Sequence, residues 1–183
     1  MAFRQFERLS PNRGPAAHER LGALFHHSGL GFAETIDRML DPGSRVSYHC
    51  LIDADGTRCT LVPDAEVAWH AGASSFLGRD RCNDFLLGVS FAGDTYLSPL
   101  SGPQIASALE WLEPRWNALG WETGRVADHR QVAPGRKRDL NPAEWDRLIG
   151  AIAAHFGGAA PPGSVSMLKS TPPSRRKNPP QSP

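Results

Sequence analysis

Residues 129–139 bring together side chains that can act in catalysis. The segment begins with His129, turns at Pro134-Gly135, and ends with Lys137 and Asp139 two positions apart. If the last residues are extended, Lys137 and Asp139 point to the same side, because side chains i and i+2 of an extended chain share a face. A histidine and a carboxylate can supply two of the three protein ligands of an open zinc site. A lysine beside them would stabilise negative charge on a polarised carbonyl oxygen.

A solvated basic loop is the alternative interpretation of this segment. Its basic residues are Arg130, Arg136, Lys137 and Arg138. A zinc site also needs a third ligand, for which His26 and His27 are upstream candidates. Because neighbouring residues of a strand point to opposite faces, only one of these two histidines can join the site. A His26, His129 and Asp139 set would fit an open catalytic zinc site better than a closed structural one.

Short apolar runs predict the strands that would position these residues. Residues 21–27 are predicted to form a buried strand, residues 86–92 a central strand and residues 126–129 a third strand. Residues 46–53 and 57–62 predict a hairpin, since a turn containing Asp and Gly lies between them. The hairpin implies antiparallel pairing within an otherwise alternating chain of strands and helices.

Three helices are predicted from apolar spacing and from start and stop residues. They cover residues 32–40, 101–120 and 141–157. The second begins at a capping box on Ser101 and contains Pro114, which predicts a kink or a break. The inner faces of the second and third helices are predicted to contain Ile105, Leu109, Leu112, Trp116, Leu119, Trp145, Leu148, Ile149, Ile152 and Phe156. These elements predict an α/β fold with a mixed central sheet flanked by helices.

Two further segments carry little sign of regular structure. Residues 1–20 are predicted to be an ordered arm, and residues 73–84 a long loop rich in Ser, Gly and charge. Residues 1–157 are predicted to form one folded domain, and residues 158–183 a disordered basic tail rich in Pro and Ser. The boundary rests on this change in composition.

Charge and cysteine content limit the possible partners. The chain has 20 basic and 19 acidic residues, and four of the basic ones lie in the predicted tail, so the body is mildly acidic. An acidic body argues against nucleic-acid binding. We find no run suited to a membrane span and no apolar stretch of a secretory signal, so we expect a cytoplasmic monomer. Cys50, Cys59 and Cys82 form no Cys-x-x-Cys pair and are expected to stay reduced and pack in the interior.

Five motifs occur in an order that resembles a known family. They are Phe-His-His-Ser at 25–28, Val-Ser-Tyr-His-Cys-Leu-Ile-Asp-Ala-Asp-Gly at 46–56, Ala-Trp-His-Ala-Gly at 68–72, Arg-Cys-Asn-Asp-Phe at 81–85 and His-x7-Lys-Arg-Asp at 129–139. The set resembles the zinc-dependent N-acetylmuramoyl-L-alanine amidases of type 2. This family includes anhydromuropeptide-recycling amidases, phage amidase-type lysozymes and peptidoglycan-recognition proteins. The resemblance implies their fold for most of the body.

The resemblance also implies an activity and a site. The activity is hydrolysis of the amide bond between N-acetylmuramic acid and L-alanine, in peptidoglycan or in muropeptides. Zn²⁺ is the implied cofactor, with His26, His129 and Asp139 as its ligands. Lys137 matches a lysine that contacts the scissile carbonyl oxygen. His27 would then pack on the other face of its strand.

One position departs from the recycling amidases. They carry a glutamate as general base where this chain has Ser90, whereas the phage and recognition proteins have a tyrosine where this chain has Tyr48. The resemblance therefore implies a catalytic role for Tyr48. Trp69, His70 and Asn83, which lie in the motifs, are expected to contact the substrate. A domain that binds muropeptide without cutting it is the alternative; a missing zinc ligand would favour it, and none is missing.

Overall fold

Strands and helices alternate along the part of the chain that the computed structural model describes, residues 2–17 and 19–157. The strands are β1 (Gln5–Glu7), β2 (Arg13–Ala16), β3 (Gly22–His27), β4 (Cys50–Ile52), β5 (Arg58–Thr60), β6 (Glu66–Ala68), β7 (Ser75–Phe76), β8 (Arg79–Asp80), β9 (Leu86–Phe91) and β10 (Val126–Asp128). The α-helices are α1 (Phe32–Leu40), α2 (Gly102–Leu119), α3 (His129–Val132) and α4 (Pro142–Phe156). The predicted tail, residues 158–183, lies outside the described residues.

Six strands form one mixed sheet in the order β1-β5-β4-β9-β3-β10. β4 and β5 pair antiparallel, and the other neighbours pair parallel. This arrangement confirms the predicted mixed sheet. Because β3, β9 and β10 run in the same direction, their carboxyl ends lie at one edge of the sheet, where sites of α/β proteins commonly form.

The central strands are apolar on both faces because both faces are covered. On one face, Phe25 and Val89 pack in a core with residues of α2 and α4. On the other face, Leu24 packs with Phe85 and Ala127, and Leu51 packs with residues of α1. His26 lies on this second face, at the carboxyl end of β3.

Helix α2 confirms the predicted start, excludes a break at Pro114 and corrects the predicted position of Leu119. Ser101 Oγ accepts a hydrogen bond from the Gln104 N–H at 3.0 Å, and Gln104 Oε1 accepts one from the Ser101 N–H at 3.0 Å. The helix then runs through Pro114 without a break. Pro114 is exposed, and a carbonyl group that loses its helical partner on an exposed side can bond to water. Leu119, predicted on the inner face, is 47% exposed.

The interior face of α4 is as predicted. Trp145, Leu148, Ile149 and Ile152 are buried, and Phe156 packs on the same core. The helix ends at Gly157, whose φ of 76° is left-handed and whose N–H bonds to the Ala153 carbonyl.

The amino-terminal arm has more regular structure than its sequence predicts. β1 pairs parallel with β5 at the edge of the main sheet, and β2 pairs antiparallel with β6. Both pairings join residues that are distant in sequence, and the local composition of residues 1–20 does not encode them. The predicted loop 73–84 likewise contains the short β7–β8 hairpin.

Two other predictions concern cysteines and membranes. Cys50, Cys59 and Cys82 are free and buried, as predicted. No described helix combines the length and the apolar character that a membrane span needs. The cytoplasmic location and the monomeric state stay predictions.

Candidate metal centre

Three side chains converge at the carboxyl ends of β3 and β10. His26 Nδ1 lies 2.9 Å from His129 Nδ1 and 3.2 Å from Asp139 Oδ2, and His129 Nδ1 lies 3.1 Å from the same oxygen. All three residues are buried, His26 being 1% exposed. Within the described residues, this is the group of His, Cys, Asp and Glu side chains whose ligand atoms are close enough to hold one metal ion.

Local structure explains how residues distant in sequence meet here. His26 lies in β3, and His129 follows directly after β10, the neighbouring strand. Asp128 begins α3 with a capping box, since its Oδ1 accepts from the Gln131 N–H at 3.1 Å and its N–H donates to Gln131 Oε1 at 2.9 Å. The following loop closes back on itself, because the Arg130 N–H donates to the Asp139 carbonyl at 3.1 Å. This closure brings Asp139 beside His129.

The loop differs from the extended segment that the sequence predicts. His129 begins a short helix instead of ending a strand. The N–H groups of Arg136 and Lys137 both donate to the Ala133 carbonyl at 3.1 Å, so the chain turns tightly before it reaches Asp139. Asp139 is buried whereas Lys137 is exposed.

The donor set suits a cation. The His129 Nε2 atom lies 3.2 Å from the Ala71 carbonyl oxygen, which can only accept, so Nε2 carries the proton and Nδ1 presents a lone pair. Nitrogen and carboxylate ligands at zinc distances in a tetrahedral site lie about 3.3 Å from each other. The observed separations are close to that value. Lone pairs that meet at such distances repel unless a proton or a cation lies between them.

Electrostatics keep two of the three groups in their ligand forms. Burial and the nearby His129 lower the pKa of His26 to about 4, so His26 is neutral at pH 7. Burial alone would raise the pKa of Asp139, but the adjacent imidazoles of His129 and His26 outweigh it and hold that pKa well below its usual value. A neutral imidazole and an ionised carboxylate are the forms that bind metals.

An open cavity of about 410 Å³ lies beside this cluster, of which His129 and Asp139 line the cavity. Its lining includes His129, Asp139, Tyr48, Lys137 and His70. Arg136, Lys137 and Arg138 supply positive charge to its rim, all three being exposed. The cavity therefore offers access to the candidate metal centre from a basic surface.

Tyr48 lies beside the metal centre, with its ring centroid 5.3 Å from that of His26. Its side chain is buried, and burial raises its pKa to about 12 although the Ser90 hydroxyl acts in the opposite direction. Ser90 pairs with His26 in the β3–β9 register, so both side chains rise on the same face. The Ser90 Oγ is buried and forms no hydrogen bond of regular geometry. Its effect within the site is on the Tyr48 phenol, whose pKa it lowers.

The residues expected to contact the substrate lie in two places. Trp69 and Asn83 line a neighbouring cleft of about 450 Å³, not the cavity over the metal centre. His70 lies in the wall of that cavity, only 6% exposed, with its Nδ1 atom 3.0 Å from His26 Nε2. His27 lies on the other face of its strand, as predicted, with Nδ1 2.7 Å from Thr95 Oγ1.

Sequence reasoning missed three supporting residues. Ala71 accepts from His129 through its backbone carbonyl, and Arg136 donates to the same oxygen. Gly88 lies directly under the His70 ring, where a Cβ would come within 2.5 Å of His70 Cγ. Ala71 lies in the Trp-His-Ala-Gly motif, which was the available signal, but a backbone carbonyl leaves no mark in a sequence.

A family comparison matches most of the folded body. The model of the N-acetylmuramoyl-L-alanine amidase family matches residues 19–143. That range contains the three converging ligands and Tyr48, Ser90 and Lys137.

Curated relatives are similar over part of their length. The chain is 38% identical over 112 residues to the 1,6-anhydro-N-acetylmuramyl-L-alanine amidase AmpD of Salmonella typhimurium, covering 60% of this chain and 58% of that protein. It is 36% identical over 126 residues to AmpD of Escherichia coli, covering 64% of this chain and 67% of that protein. The chain thus spans little more than half the length of the Salmonella protein.

Solved structures share the fold. A selenomethionine derivative of AmpD superposes with a TM-score of 0.69 at 26% identity, covering 82% of this chain and 94% of that one. AmiD of Escherichia coli, solved with the substrate anhydro-N-acetylmuramic acid-L-Ala-D-gamma-Glu-L-Lys, superposes with a TM-score of 0.66 at 23% identity, covering 82% of this chain and 60% of that one. These matches confirm the predicted fold.

Proposed function

Because the chain belongs to the N-acetylmuramoyl-L-alanine amidase family, we propose that it hydrolyses the amide bond between N-acetylmuramic acid and L-alanine. The observation that carries the proposal is the convergence of His26 Nδ1, His129 Nδ1 and Asp139 Oδ2 at 2.9–3.2 Å, beside an open cavity that His129 and Asp139 line. A domain that only binds muropeptide has no need of a complete set of metal ligands facing a cavity. The catalytic alternative is therefore favoured over the binding alternative.

Zinc is the proposed metal, and His26, His129 and Asp139 are its proposed ligands. Two imidazoles and one carboxylate with a free fourth position form the ligand type of catalytic zinc sites. When bound, the ion supplies Lewis-acid chemistry: it polarises a carbonyl group and makes a water molecule acidic enough to attack at neutral pH. The two histidines direct Nδ1 lone pairs at the centre and the carboxylate is ionised, which are the forms that bind metals.

Lys137 is proposed to stabilise the negative charge that develops on the scissile carbonyl oxygen. It lies in the cavity lining beside Asp139, and its exposure lets the ammonium group reach over the cavity. A preorganised donor of this kind typically contributes about 2.7–4 kcal/mol to the transition state. Arg136 and Arg138 add positive charge around it, which suits the carboxylates of a peptide stem.

Tyr48 is proposed to act as a hydrogen-bond donor in the reaction. With a pKa of about 12, its phenol is protonated throughout the physiological range, so it can donate a proton or a hydrogen bond but cannot serve as a resting base. Ser90, at the position of the recycling enzymes' glutamate, has no titratable group for that role. Proton transfer to the leaving amine then falls to Tyr48, Asp139 or solvent.

A small anhydro-muropeptide is the proposed substrate. Two observations on other proteins support it: the curated relatives are named as 1,6-anhydro-N-acetylmuramyl-L-alanine amidases, and AmiD was solved with an anhydro-muropeptide. Trp69 lines the neighbouring cleft, and we propose that this cleft takes part of the substrate. Hydrolysis of polymeric peptidoglycan is the other possibility within the same activity.

The test is a product analysis with both substrates. Pure zinc-loaded protein is incubated with an anhydro-muropeptide and, separately, with isolated sacculi, and products are identified by mass spectrometry. We expect release of a peptide with L-alanine at its amino terminus, faster from the small substrate. An Asp139→Asn variant serves as the control. Absence of peptide release from both substrates by the zinc-loaded protein would overturn the proposed activity.

A further inference from the structure

The hydrogen bonds of His70 determine which nitrogen of His26 faces the metal centre. His70 Nε2 lies 3.2 Å from the Leu86 carbonyl oxygen, which can only accept, so Nε2 carries the proton of the ring. His70 Nδ1 is then an acceptor, and the atom 3.0 Å from it, His26 Nε2, must be the donor. A neutral imidazole carries one proton, so His26 Nδ1 is left with a lone pair directed at the metal centre.

Ala71, the residue after His70, determines which nitrogen of His129 faces the metal centre. The Ala71 carbonyl accepts from His129 Nε2 at 3.2 Å, which leaves the lone pair of His129 on Nδ1. Two consecutive residues, His70 and Ala71, therefore orient both histidines of the centre, one through a side chain and one through the backbone. His70 and Ala71 approach the centre from a loop that contributes no metal ligand itself.

Asn83 holds this pair in place. Its Oδ1 atom accepts from the His70 N–H at 3.0 Å and from the Ala71 N–H at 2.7 Å. Gly88 also supports His70, because the Gly88 Cα packs directly against the His70 ring. A Cβ at this position would lie 2.5 Å from His70 Cγ and 2.8 Å from His70 Nδ1. Asn83 thus fixes the backbone of His70 and Ala71, and Gly88 fixes the position of the His70 ring.

We propose that His70 and Ala71, held by Asn83 and Gly88, form a clamp that sets the metal affinity of the centre by fixing the tautomers of His26 and His129. The inference rests on the proposed function in taking His26, His129 and Asp139 as zinc ligands. It makes His70 and Asn83 positioning residues, in place of the substrate contacts that the sequence predicts. Loss of a partner that orients a metal-bound histidine typically weakens metal binding by about 10–100-fold.

The first test removes the acceptor on His70. Zinc affinity is measured by competition with a chelator of known affinity, with no substrate present, so the readout does not depend on activity. His70→Phe should bind zinc about 10–100-fold more weakly than wild type. Gln104→Leu is the matched control, since Gln104 is 4% exposed against 6% for His70 and its side chain bonds to the Ser101 N–H and the Ala92 carbonyl, but to no residue of the clamp and to no ligand histidine. It should lower the melting temperature without the loss of zinc affinity.

The second test acts on the clamp without touching His70 chemically. Asn83→Leu removes the acceptor for both N–H groups, and Asn83→Asp restores an acceptor oxygen, so the aspartate variant should recover most of the zinc affinity. Gly88→Ala should push the His70 ring away and weaken zinc binding. Gly150→Ala, at an exposed helical glycine with open space around it, is its control and should leave zinc binding unchanged.

The outcomes separate this inference from the proposed function. If wild type binds zinc and His70→Phe, Asn83→Leu and Gly88→Ala bind it as tightly, the clamp is wrong while the zinc site stands. If wild type itself binds no zinc, the proposed function and the clamp are overturned together. Weakened zinc binding in the three clamp variants, with unchanged binding in Gln104→Leu and Gly150→Ala, supports the clamp.

Discussion

Nδ1 of His26 lies 2.9 Å from Nδ1 of His129, although 103 positions separate the two residues in the chain. Both Nε2 atoms donate their protons to other acceptors, so each Nδ1 carries a lone pair. No ring proton therefore lies between the two Nδ1 atoms. The carboxylate of Asp139 adds a third within 3.2 Å. Such an arrangement is unfavourable without a cation, and its persistence in a buried site is the physical basis for proposing a metal.

Tyr48 and Ser90 should differ strongly in their effect on turnover. Tyr48→Phe removes a buried proton donor beside the metal centre and is expected to lower kcat by about 10²-fold or more, within the usual range of acid–base groups. Ser90→Ala removes a hydroxyl whose role is limited to lowering the pKa of Tyr48, so its effect on kcat should be far smaller. Steady-state kinetics on an anhydro-muropeptide compare the two, with zinc content measured in both. Equal and small effects of both substitutions would show that a group other than Tyr48 transfers the proton to the leaving amine.

Lys137 should matter for kcat and not for zinc binding. Lys137→Met removes the ammonium group from the cavity but leaves the three ligands intact, so kcat should fall by about 10²–10³-fold with unchanged zinc content. Arg125→Met, which removes one positive charge away from the cavity, is the control and should retain wild-type kinetics. A Lys137→Met variant with near wild-type kcat would exclude the proposed oxyanion role.

His49 predicts a loss of stability in acid. Burial lowers its pKa from 6.5 to about 4, while both ring nitrogens are bonded in the neutral form. The unfolded chain therefore takes up the proton first as pH falls, so this contribution to the free energy of unfolding is complete above pH 6.5 and is lost progressively towards pH 4.

The measurement is the free energy of unfolding at pH 7 and at pH 5 from denaturant titrations. His49→Gln should lose about 2 kcal/mol less between these pH values than wild type, because glutamine does not titrate. His155→Gln, at an exposed histidine, should follow wild type. The same pH slope in His49→Gln and wild type would contradict the assigned pKa.

The folded domain is predicted to be complete without residues 159–183. Helix α4 ends at Gly157 with its own closing hydrogen bond, and its buried side chains lie before that point. A chain that ends at Gly158 should keep the wild-type melting temperature and cleave a small muropeptide at the wild-type rate. A chain that ends at Leu148 is the destabilised control, since it removes the buried Ile149 and Ile152. A lower melting temperature for the Gly158 chain would place the domain boundary later.

Local patterns predicted the parts of the fold that local physics controls. The capping box at Ser101 follows from residue types three positions apart, and the inner face of α4 follows from helical spacing. The strand that carries His26 was predicted from a short apolar run, and the hairpin from its turn residues. Each of these depends on interactions between residues close in sequence.

Features set by distant contacts were not predictable in the same way. β1 pairs with β5 at the edge of the main sheet, and the composition of residues 1–20 gives no sign of that pairing. His70 and Asn83 were recognised as motif residues, but the motif does not say that His70 turns inward to His26 while Asn83 bonds to the backbone. The closed shape of residues 129–139 depends on the bond between Arg130 and Asp139, and an extended segment was the simpler expectation.

The zinc content of the purified protein is the most direct test of the central claim. Wild type, a His26→Ala, His129→Ala double variant and a His155→Ala control are purified in parallel, and bound zinc per chain is measured by atomic spectroscopy after dialysis. The proposed ligand set predicts one zinc per chain in wild type and in His155→Ala, and none in the double variant. Full zinc occupancy in the double variant would contradict the assignment of His26 and His129 as ligands.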